Sequence, residues 1–327
     1  MKIGYFLPGY GEQSNAMAKS LYDDSRIVQE YFEEASYCLD INFVKLCFAS
    51  SEVELAKVDK AYPSIFLVSS AIIGLLKSLS LDSSIVTGYG IGEYSALYAA
   101  GSLNLPDGLY FLSKLALSLS KELDGKTLAS CSIAGLMDKT LMKKYEELIL
   151  AHPELHYSAI HSPHSSLVTG TKQEIEALKV SFALDKKKSN SYKIKDTPVE
   201  FGLYSELSNQ FISGLSMYLE IIDIKDCHTD FVSQTTGQIV QDGKKIKKSL
   251  LTNLAQTIRL DKVKKKFQDV DLIVIPAPGI KLQKIVQELF PTKMVMNVAS
   301  MHDVEKVLSL KENFVSAHDS RQATSLL

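Results

Sequence analysis

One stretch of the sequence, Ile85–Leu97, constrains the fold more than any other, because it reads in order as a strand, a turn and a helix. Ile85 and Val86 are β-branched and apolar, which favours a buried strand. Three glycines follow at alternate positions: Gly88, Gly90 and Gly92. From Glu93 onward the residues favour a helix. A strand that passes through a glycine turn into a helix is typical of α/β folds.

The turn has the layout of the G-x-S-x-G motif, in which a sharp strand-to-helix turn exposes a nucleophilic serine. In this chain Gly90 occupies the place of the serine. Because glycine has no side chain, Gly90 cannot form an acyl-enzyme. It also accepts without strain the backbone angles that cost other residues about 1–3 kcal/mol in such turns. The sequence therefore predicts the scaffold of an acyl-transfer site without its nucleophile.

Composition and charge set the class of protein. The 327 residues suffice for one large domain and one small one. A net charge of −2 gives no general attraction to nucleic acid or to an anionic membrane. Pro8 interrupts the N-terminus too early for a signal-peptide core, and polar residues interrupt the longest apolar stretch, 65–81. Four cysteines without metal-ligand spacing indicate free thiols in a reducing cytosol. We therefore expect a cytoplasmic protein without a metal, a cofactor, a nucleic-acid partner or a membrane.

The order of predicted elements indicates two domains and a tail. Residues 1–126 and 197–310 are predicted to form a large α/β domain, with a parallel sheet covered by helices on both faces. Residues 127–196 have the order β-α-β-β-α-β and predict a ferredoxin-like subdomain. Residues 311–327 are polar and are expected to form a frayed C-terminal tail.

Four segments carry a resemblance to known motifs. Residues 8–13 resemble F-P/A-G-Q-G-S-Q, and residues 88–97 resemble G-H-S-L-G-E-Y-S-A-L. Residues 162–170 resemble N-S-P-x-x-x-V-x-x-G, and residues 276–279 resemble V-G-P-G. Together these segments resemble the malonyl-CoA:acyl-carrier-protein transacylases and the acyltransferase domains of polyketide synthases. Their order and spacing hold over nearly the whole chain.

The resemblance implies a fold and a biological setting. The fold is the acyltransferase fold, with a large α/β-hydrolase-like domain and a small ferredoxin-like subdomain. The setting is fatty-acid or polyketide biosynthesis in the cytoplasm. An acyl carrier protein or a ketosynthase-type enzyme is the implied partner, and an acyl-CoA or other acyl thioester is the implied ligand.

The resemblance also implies which side chains would catalyse the reaction, and this chain differs at each of them. The family uses a serine nucleophile, a histidine base and an arginine that pairs with the malonyl carboxylate. The serine falls on Gly90, the motif histidine beside it on Tyr89, the arginine near Leu115 and the base on Glu200. We therefore expect no intact catalytic residue.

No shift in register supplies the arginine, because none occurs between Arg26 and Arg259. Lys114 lies beside the expected position, but lysine lacks the bidentate fork that matches a carboxylate.

The backbone part of the implied site does not depend on these side chains. The N–H groups of Tyr10 and Ile91 are predicted to form an oxyanion hole. The expected pocket residues are Gly9, Gly11, Gly92, His161 and Gln256. His161 and His164 are interpreted as surface histidines of a loop, with the replacement of the missing base as the alternative.

Three functions follow as hypotheses. The first is a catalytically inactive homologue that binds a carrier protein or a partner enzyme as a scaffold or regulator. The second is an acyl-thioester hydrolase in which Glu200 acts as general base on a water and the Tyr10 and Ile91 amides stabilise the oxyanion. The third is an acyltransferase whose site is completed by a partner subunit.

Overall fold

The computed structural model describes residues 1–122, 128–135, 139–185, 192–197, 203–277 and 279–324. Within these residues the strands are β1 Ile3–Leu7, β2 Ile85–Gly88, β3 Leu128–Gly135, β4 Leu155–Ser162, β5 Ser165–Thr171, β6 Tyr192–Thr197, β7 Asp230–Val232, β8 Ile239–Val240, β9 Ile258–Arg259, β10 Leu272–Pro276 and β11 Met294–Val298. The α-helices are α1 Lys19–Asp24, α2 Arg26–Leu39, α3 Phe43–Ala49, α4 Glu52–Leu55, α5 Val58–Ser78, α6 Gly92–Ala99, α7 Leu105–Glu122, α8 Lys139–Ala151, α9 Lys172–Asp185, α10 Asn209–Ile221, α11 Gly243–Asn253, α12 Leu260–Val263, α13 Ile280–Leu289 and α14 Met301–Thr324.

The larger sheet has the strand order β11-β10-β1-β2-β7-β8. All neighbouring strands in it run parallel except β8, which pairs antiparallel with β7 at the edge. Every residue of β1 and β10 is buried, as expected for central strands of a parallel sheet covered on both faces. The predicted α/β fold is confirmed. The carboxyl ends of β1, β2 and β7 lie side by side at one edge, where open α/β sheets bind ligands.

The helix α5 is the one described helix that is long and apolar enough to cross a membrane by length and composition. Its most apolar 18-residue window is 83% buried inside the molecule. It packs against α2, α6 and α7, so its apolar faces are accounted for by the core of the large domain. The helix α5 begins at Val58, ahead of Pro63, which lies inside it.

The smaller sheet has the order β6-β3-β5-β4-β9 and contains the predicted β-α-β-β-α-β sequence of elements, β3 to β6 with α8 and α9. The strands β3 to β6 pair antiparallel. Residues of α8 and α9, among them Phe182, form a separate small core with the strand residues Cys131 and Val168. The fifth strand, β9, comes from beyond residue 196 and pairs parallel with β4. The boundary of the subdomain in the chain stays a prediction.

The C-terminal segment differs from its expected form. Residues 311–324 continue the helix α14, whereas the sequence predicted a frayed tail from residue 311. The segment from Met301 to Thr324 contains neither glycine nor proline, so nothing in it ends a helix early.

Candidate functional site

The glycine turn predicted from the sequence forms the centre of the site. Gly90 lies between β2 and α6 with φ at +60°, a left-handed conformation that glycine adopts without the penalty of a Cβ. Gly92 begins α6 directly against the end of β1, since a Cβ there would lie 2.2 Å from the Leu7 carbonyl oxygen. Gly9 makes the matching approach from the other side, because its Cβ would lie 2.3 Å from the Tyr89 carbonyl oxygen. These glycines therefore allow the ends of two parallel strands to meet.

Gln234 holds Gly90 by both of its backbone polar groups. The Gly90 N–H donates to Gln234 Oε1 at 2.7 Å, and Gln234 Nε2 donates to the Gly90 carbonyl at 3.0 Å. Gln234 is fully buried and follows β7, the strand next to β2. A buried side chain that satisfies both groups fixes the turn in one conformation. Sequence reasoning missed Gln234, although its position just beyond a strand of the central sheet was a usable signal.

Glu93 lies beneath the turn and is the buried carboxyl of the site. Its two oxygens accept hydrogen bonds from Gln234 Nε2 and Asn253 Nδ2, each at 3.2 Å. Thr235 Oγ1 in turn donates to Asn253 Oδ1 at 3.2 Å. Burial raises the pKa of Glu93 to about 7, because the loss of solvation outweighs the two amide hydrogen bonds. The carboxyl is therefore mostly protonated below neutral pH.

The structure corrects the position expected for Gln256. This residue was predicted to line the pocket, but it is exposed after the end of α11. Asn253, three residues earlier, is the buried residue that reaches the site. The helix α11 ends at Asn253, so Gln256 lies in the turn beyond it and does not continue the buried face of the helix.

The two predicted oxyanion-hole residues lie on either side of the turn. Ile91 is buried and caps the start of α6, where backbone N–H groups lack partners within the helix. Tyr10 follows β1, and its hydroxyl donates to the Ala56 carbonyl at 2.8 Å while its ring packs edge-on against Tyr62. The Tyr10 side chain is therefore held by the junction of α4 and α5. The oxyanion role of the two backbone amides stays a prediction.

The rest of the first glycine loop is held by α13. Glu12 accepts hydrogen bonds from the Lys281 and Leu282 amides at 3.1 and 2.7 Å, which caps that helix. Burial raises the pKa of Glu12, and the helix amides oppose this shift. Gly11 has φ at +95°, and its amide donates to Gln13 Oε1 at 2.8 Å. The loop is thus fixed by its own residues and by one helix N-terminus.

His161 reaches the turn from the smaller sheet. Its Nε2 lies 2.9 Å from the Tyr89 hydroxyl, and its Nδ1 lies 3.1 Å from Ser165 Oγ. The side chain is only 7% exposed, and this burial lowers the pKa of His161 to about 4. The interpretation of His161 as a surface histidine is therefore wrong, whereas His164 is exposed as expected. The role of His161 as a pocket residue stays a prediction.

The cations that could replace the missing arginine are engaged elsewhere. Leu115 is fully buried in α7. The ammonium of Lys114 lies 5.3 and 5.7 Å from the ring centroids of Tyr110 and Tyr218, a cation–π arrangement. Arg259 makes a bidentate pair with Asp261 at 2.9 and 2.7 Å. Glu200, the position expected for the base, lies outside the described residues.

The arrangement defines a class of protein. A mostly parallel sheet carries a strand–glycine turn–helix unit at its carboxyl edge, and a small, mostly antiparallel sheet reaches that turn through His161. Residues 4–190, more than half of the chain, match the family model described as the acyl transferase domain. The chain therefore belongs to the acyl transferase domain family.

Individual relatives agree with this assignment. The chain is 26% identical over 317 residues to the malonyl CoA-acyl carrier protein transacylase of Bacillus subtilis, covering 95% of this chain and 98% of that protein. It is similar in structure to the malonyl CoA-acyl carrier protein transacylase of Clostridium perfringens, with a TM-score of 0.87 at 23% identity over 97% of this chain and all of the other. It is also similar to a malonyl-transacylase solved in complex with a type II PKS acyl-carrier protein, with a TM-score of 0.86 at 21% identity over 94% of this chain and 99% of the other.

Proposed function

We propose that this protein is a catalytically inactive acyltransferase homologue of fatty-acid or polyketide biosynthesis. It acts in the cytoplasm as a scaffold or regulator that binds an acyl carrier protein or a partner enzyme. The observation that carries the proposal is Gly90, which stands at the turn between β2 and α6 and has no side chain to acylate. Gln234 occupies both backbone polar groups of this residue, so the turn is stable without a nucleophile.

The neighbouring positions support the same proposal. Tyr89 occupies the position of the motif histidine, and Leu115 lies near the position of the carboxylate-binding arginine. Leu115 belongs to the core and offers no charge to a substrate. Lys114 is held by two aromatic rings. Several separate changes thus point away from serine-based transfer of a malonyl group.

The partner is inferred from the relatives. The similar proteins are named for transfer between malonyl CoA and an acyl carrier protein, and one similar structure contains such a carrier protein. We therefore infer that an acyl carrier protein is the partner of this chain, with a ketosynthase-type enzyme as the alternative. The oxyanion-hole amides of Tyr10 and Ile91 would then contact the thioester carbonyl of a bound ligand.

The test compares the protein with two matched variants, Gly90→Ser and Gly90→Ala, after incubation with malonyl-CoA and with acetyl-CoA. Intact mass detects an acyl-enzyme, and a thiol assay detects free CoA. We expect neither product from the unchanged protein. The Ala variant controls for the strain of a side chain at φ +60°, about 1 kcal/mol, so acylation of the Ser variant alone would show that Gly90 is the decisive loss.

Two outcomes would overturn the proposal. A stoichiometric mass increase on the unchanged protein would show that another residue accepts the acyl group. Release of CoA without a mass increase would instead favour the thioester hydrolase. A calorimetric titration with a holo acyl carrier protein tests whether this chain binds such a carrier. We expect saturable binding at one site.

A further inference from the structure

Gln234 has a single possible orientation, because both of its partners on Gly90 are backbone groups. The Gly90 N–H can only donate and meets Gln234 Oε1, whereas the Gly90 carbonyl can only accept and meets Gln234 Nε2. Rotation of the side-chain amide by half a turn would set donor against donor and acceptor against acceptor. Gln234 Nε2 therefore always presents an N–H to Glu93 Oε2, which lies 3.2 Å away.

The fixed orientation of Gln234 decides which oxygen of Glu93 can carry a proton. A hydrogen on Oε2 would point at the N–H of Gln234, so this oxygen can only accept. The other oxygen, Oε1, lies 3.2 Å from the side-chain amide of Asn253. Among the described residues, that amide bonds only to Glu93 and to the hydroxyl of Thr235, and a hydroxyl can donate or accept. Asn253 can therefore rotate its amide, and the proton belongs on Oε1.

Two arrangements satisfy this row of polar groups, one for each charge state of Glu93. With the carboxylate, Asn253 Nδ2 donates to Oε1 and Thr235 Oγ1 donates to Asn253 Oδ1. Thr235 Oγ1 is then left to accept from Ser233 Oγ, which lies 3.2 Å away. With the protonated carboxyl, Oε1–H must donate, so Asn253 turns its Oδ1 toward it. Its Nδ2 then donates to Thr235, whose hydroxyl donates to Ser233. Every bond of the row changes direction, and only the Asn253 amide has to rotate.

Glu93 is the group whose charge changes in this region. Burial raises its pKa, the amides of Gln234 and Asn253 oppose this shift, and no charged side chain of the described residues adds to either effect. This holds for α6 itself and for β1, β2, α5 and α7, which pack against it. The titratable neighbour is the hydroxyl of Tyr94, and burial together with Glu93 holds the pKa of that hydroxyl well above its usual value. Tyr94 therefore stays neutral while Glu93 titrates.

We propose that proton uptake by Glu93 reverses the direction of a buried hydrogen-bond chain, which consists of Glu93, Asn253, Thr235 and Ser233. All four side chains are at most 5% exposed, so a group that loses its partner in the chain is not rescued by solvent. The reversal carries the charge state of the carboxyl beside Gly90 to the turn that follows β7, while Gln234 keeps the glycine turn in place. It goes beyond the proposed function, because none of these residues has to bind or transfer an acyl group.

The proton affinity of Glu93 tests the reversal in variants that leave its own hydrogen-bond partners in place. Thr235→Val leaves Asn253 Oδ1 without a donor in the ionised form, but it leaves a buried N–H without an acceptor in the protonated form, which is the costlier loss. We therefore expect Glu93 to bind its proton roughly tenfold more weakly, with a lower pKa. Thr235→Ser keeps the hydroxyl and should leave the affinity unchanged. Carbon-13 NMR of the glutamate carboxyl groups between pH 5 and 9 measures it, and Glu93→Gln identifies the resonance.

A second variant and a control complete the test. Ser233→Ala removes the acceptor at the far end of the chain and should weaken proton binding by Glu93 roughly threefold. Thr169→Val removes a buried hydroxyl of the smaller sheet and should change nothing. If the Asn253 amide kept one orientation, Thr235→Val would remove the same contact in both charge states. An unchanged or stronger proton affinity in Thr235→Val, or in Ser233→Ala if Thr235→Val does not fold, would therefore overturn the proposal.

Discussion

At the scale of single residues, two buried ionisable groups flank the glycine turn and respond to burial in opposite directions. Burial raises the pKa of Glu93 to about 7, because the carboxylate form loses its hydration. Burial lowers the pKa of His161 to about 4, because the imidazolium form loses its hydration. Both side chains therefore favour their neutral forms in the folded protein. The surroundings of Gly90 stay nearly uncharged over the range in which an unfolded chain would ionise both groups.

The two shifts predict opposing effects on stability. Folded Glu93 keeps its proton up to about pH 7, whereas an unfolded glutamate ionises near pH 4.5. The contribution of Glu93 to the free energy of unfolding is therefore present at low pH and is lost between about pH 4.5 and 7. An unfolded histidine takes up a proton near pH 6.5, whereas folded His161 does so only near pH 4. The contribution of His161 to the free energy of unfolding is therefore present above about pH 6.5 and is lost as the pH falls to 4. Each effect is on the order of 3 kcal/mol.

Single variants separate the two contributions. In urea titrations between pH 4.5 and 7, the difference in unfolding free energy between the unchanged protein and Glu93→Gln should fall as the pH rises. The difference between the unchanged protein and His161→Gln should rise over the same interval. Each comparison cancels the contributions of all other titrating groups to the free energy of unfolding. A difference that does not change with pH would therefore contradict the pKa shift of the residue that was replaced.

The sequence specified the residues of the turn itself but not the side chains that reach it. Gly90, Tyr89 and Ile91 are adjacent in the chain, so the local motif was enough to place them together. Gln234 and Asn253 follow 144 and 160 residues after their partners Gly90 and Glu93, and only the packed sheet brings them there. His161 was misinterpreted because its burial depends on contact with Tyr89, which lies 72 residues earlier in the chain.

At the scale of elements, α7 packs against α5 and approaches it most tightly, among the glycines of the two helices that face the partner helix, at Gly108. A Cβ on Gly108 of α7 would lie 2.2 Å from the end of the Phe66 ring in α5. Phe66 is buried and also packs against Tyr98, so its ring has little room to move. Long elements of this kind were predictable from apolar periodicity. The two-residue strands β8 and β9 were not, because so short a segment carries no periodic signal.

Two glycine-to-alanine variants test this contact against helix propensity alone. Gly108→Ala should lower the free energy of unfolding by about 1–3 kcal/mol, because overpacking at Phe66 outweighs the better propensity of alanine. Gly214→Ala in α10 has nothing within 4 Å of the added methyl group and should raise stability by about 0.5–1 kcal/mol. Chemical denaturation of both variants measures the two effects. Equal changes in the two variants would show that the Phe66 contact does not constrain α7.

At the scale of the whole molecule, the two sheets are joined through β9. Ile258 pairs with Ala159 of the smaller sheet, while the next residue, Arg259, donates its amide to the Gln234 carbonyl beside the larger one. The side chain of Gln234 in turn holds Gly90. A short strand thus connects the edge of the small sheet to the centre of the candidate site. Division of the chain into separate domains by sequence position overlooks this connection, since β9 follows the predicted subdomain by about sixty residues.

This connection predicts that the two sheets lose stability together. Ile258 is buried, and Ile258→Ala should lower the free energy of unfolding by about 2–5 kcal/mol through the lost contacts and the cavity that remains. Hydrogen exchange under mildly denaturing conditions should show the same loss of protection in peptides that cover β1 of the larger sheet and β5 of the smaller one. If only the β5 peptide lost protection, the small sheet would unfold on its own and β9 would not couple it to the site. Gly214→Ala, which lies outside both sheets, provides the control for a change in stability without a change in this coupling.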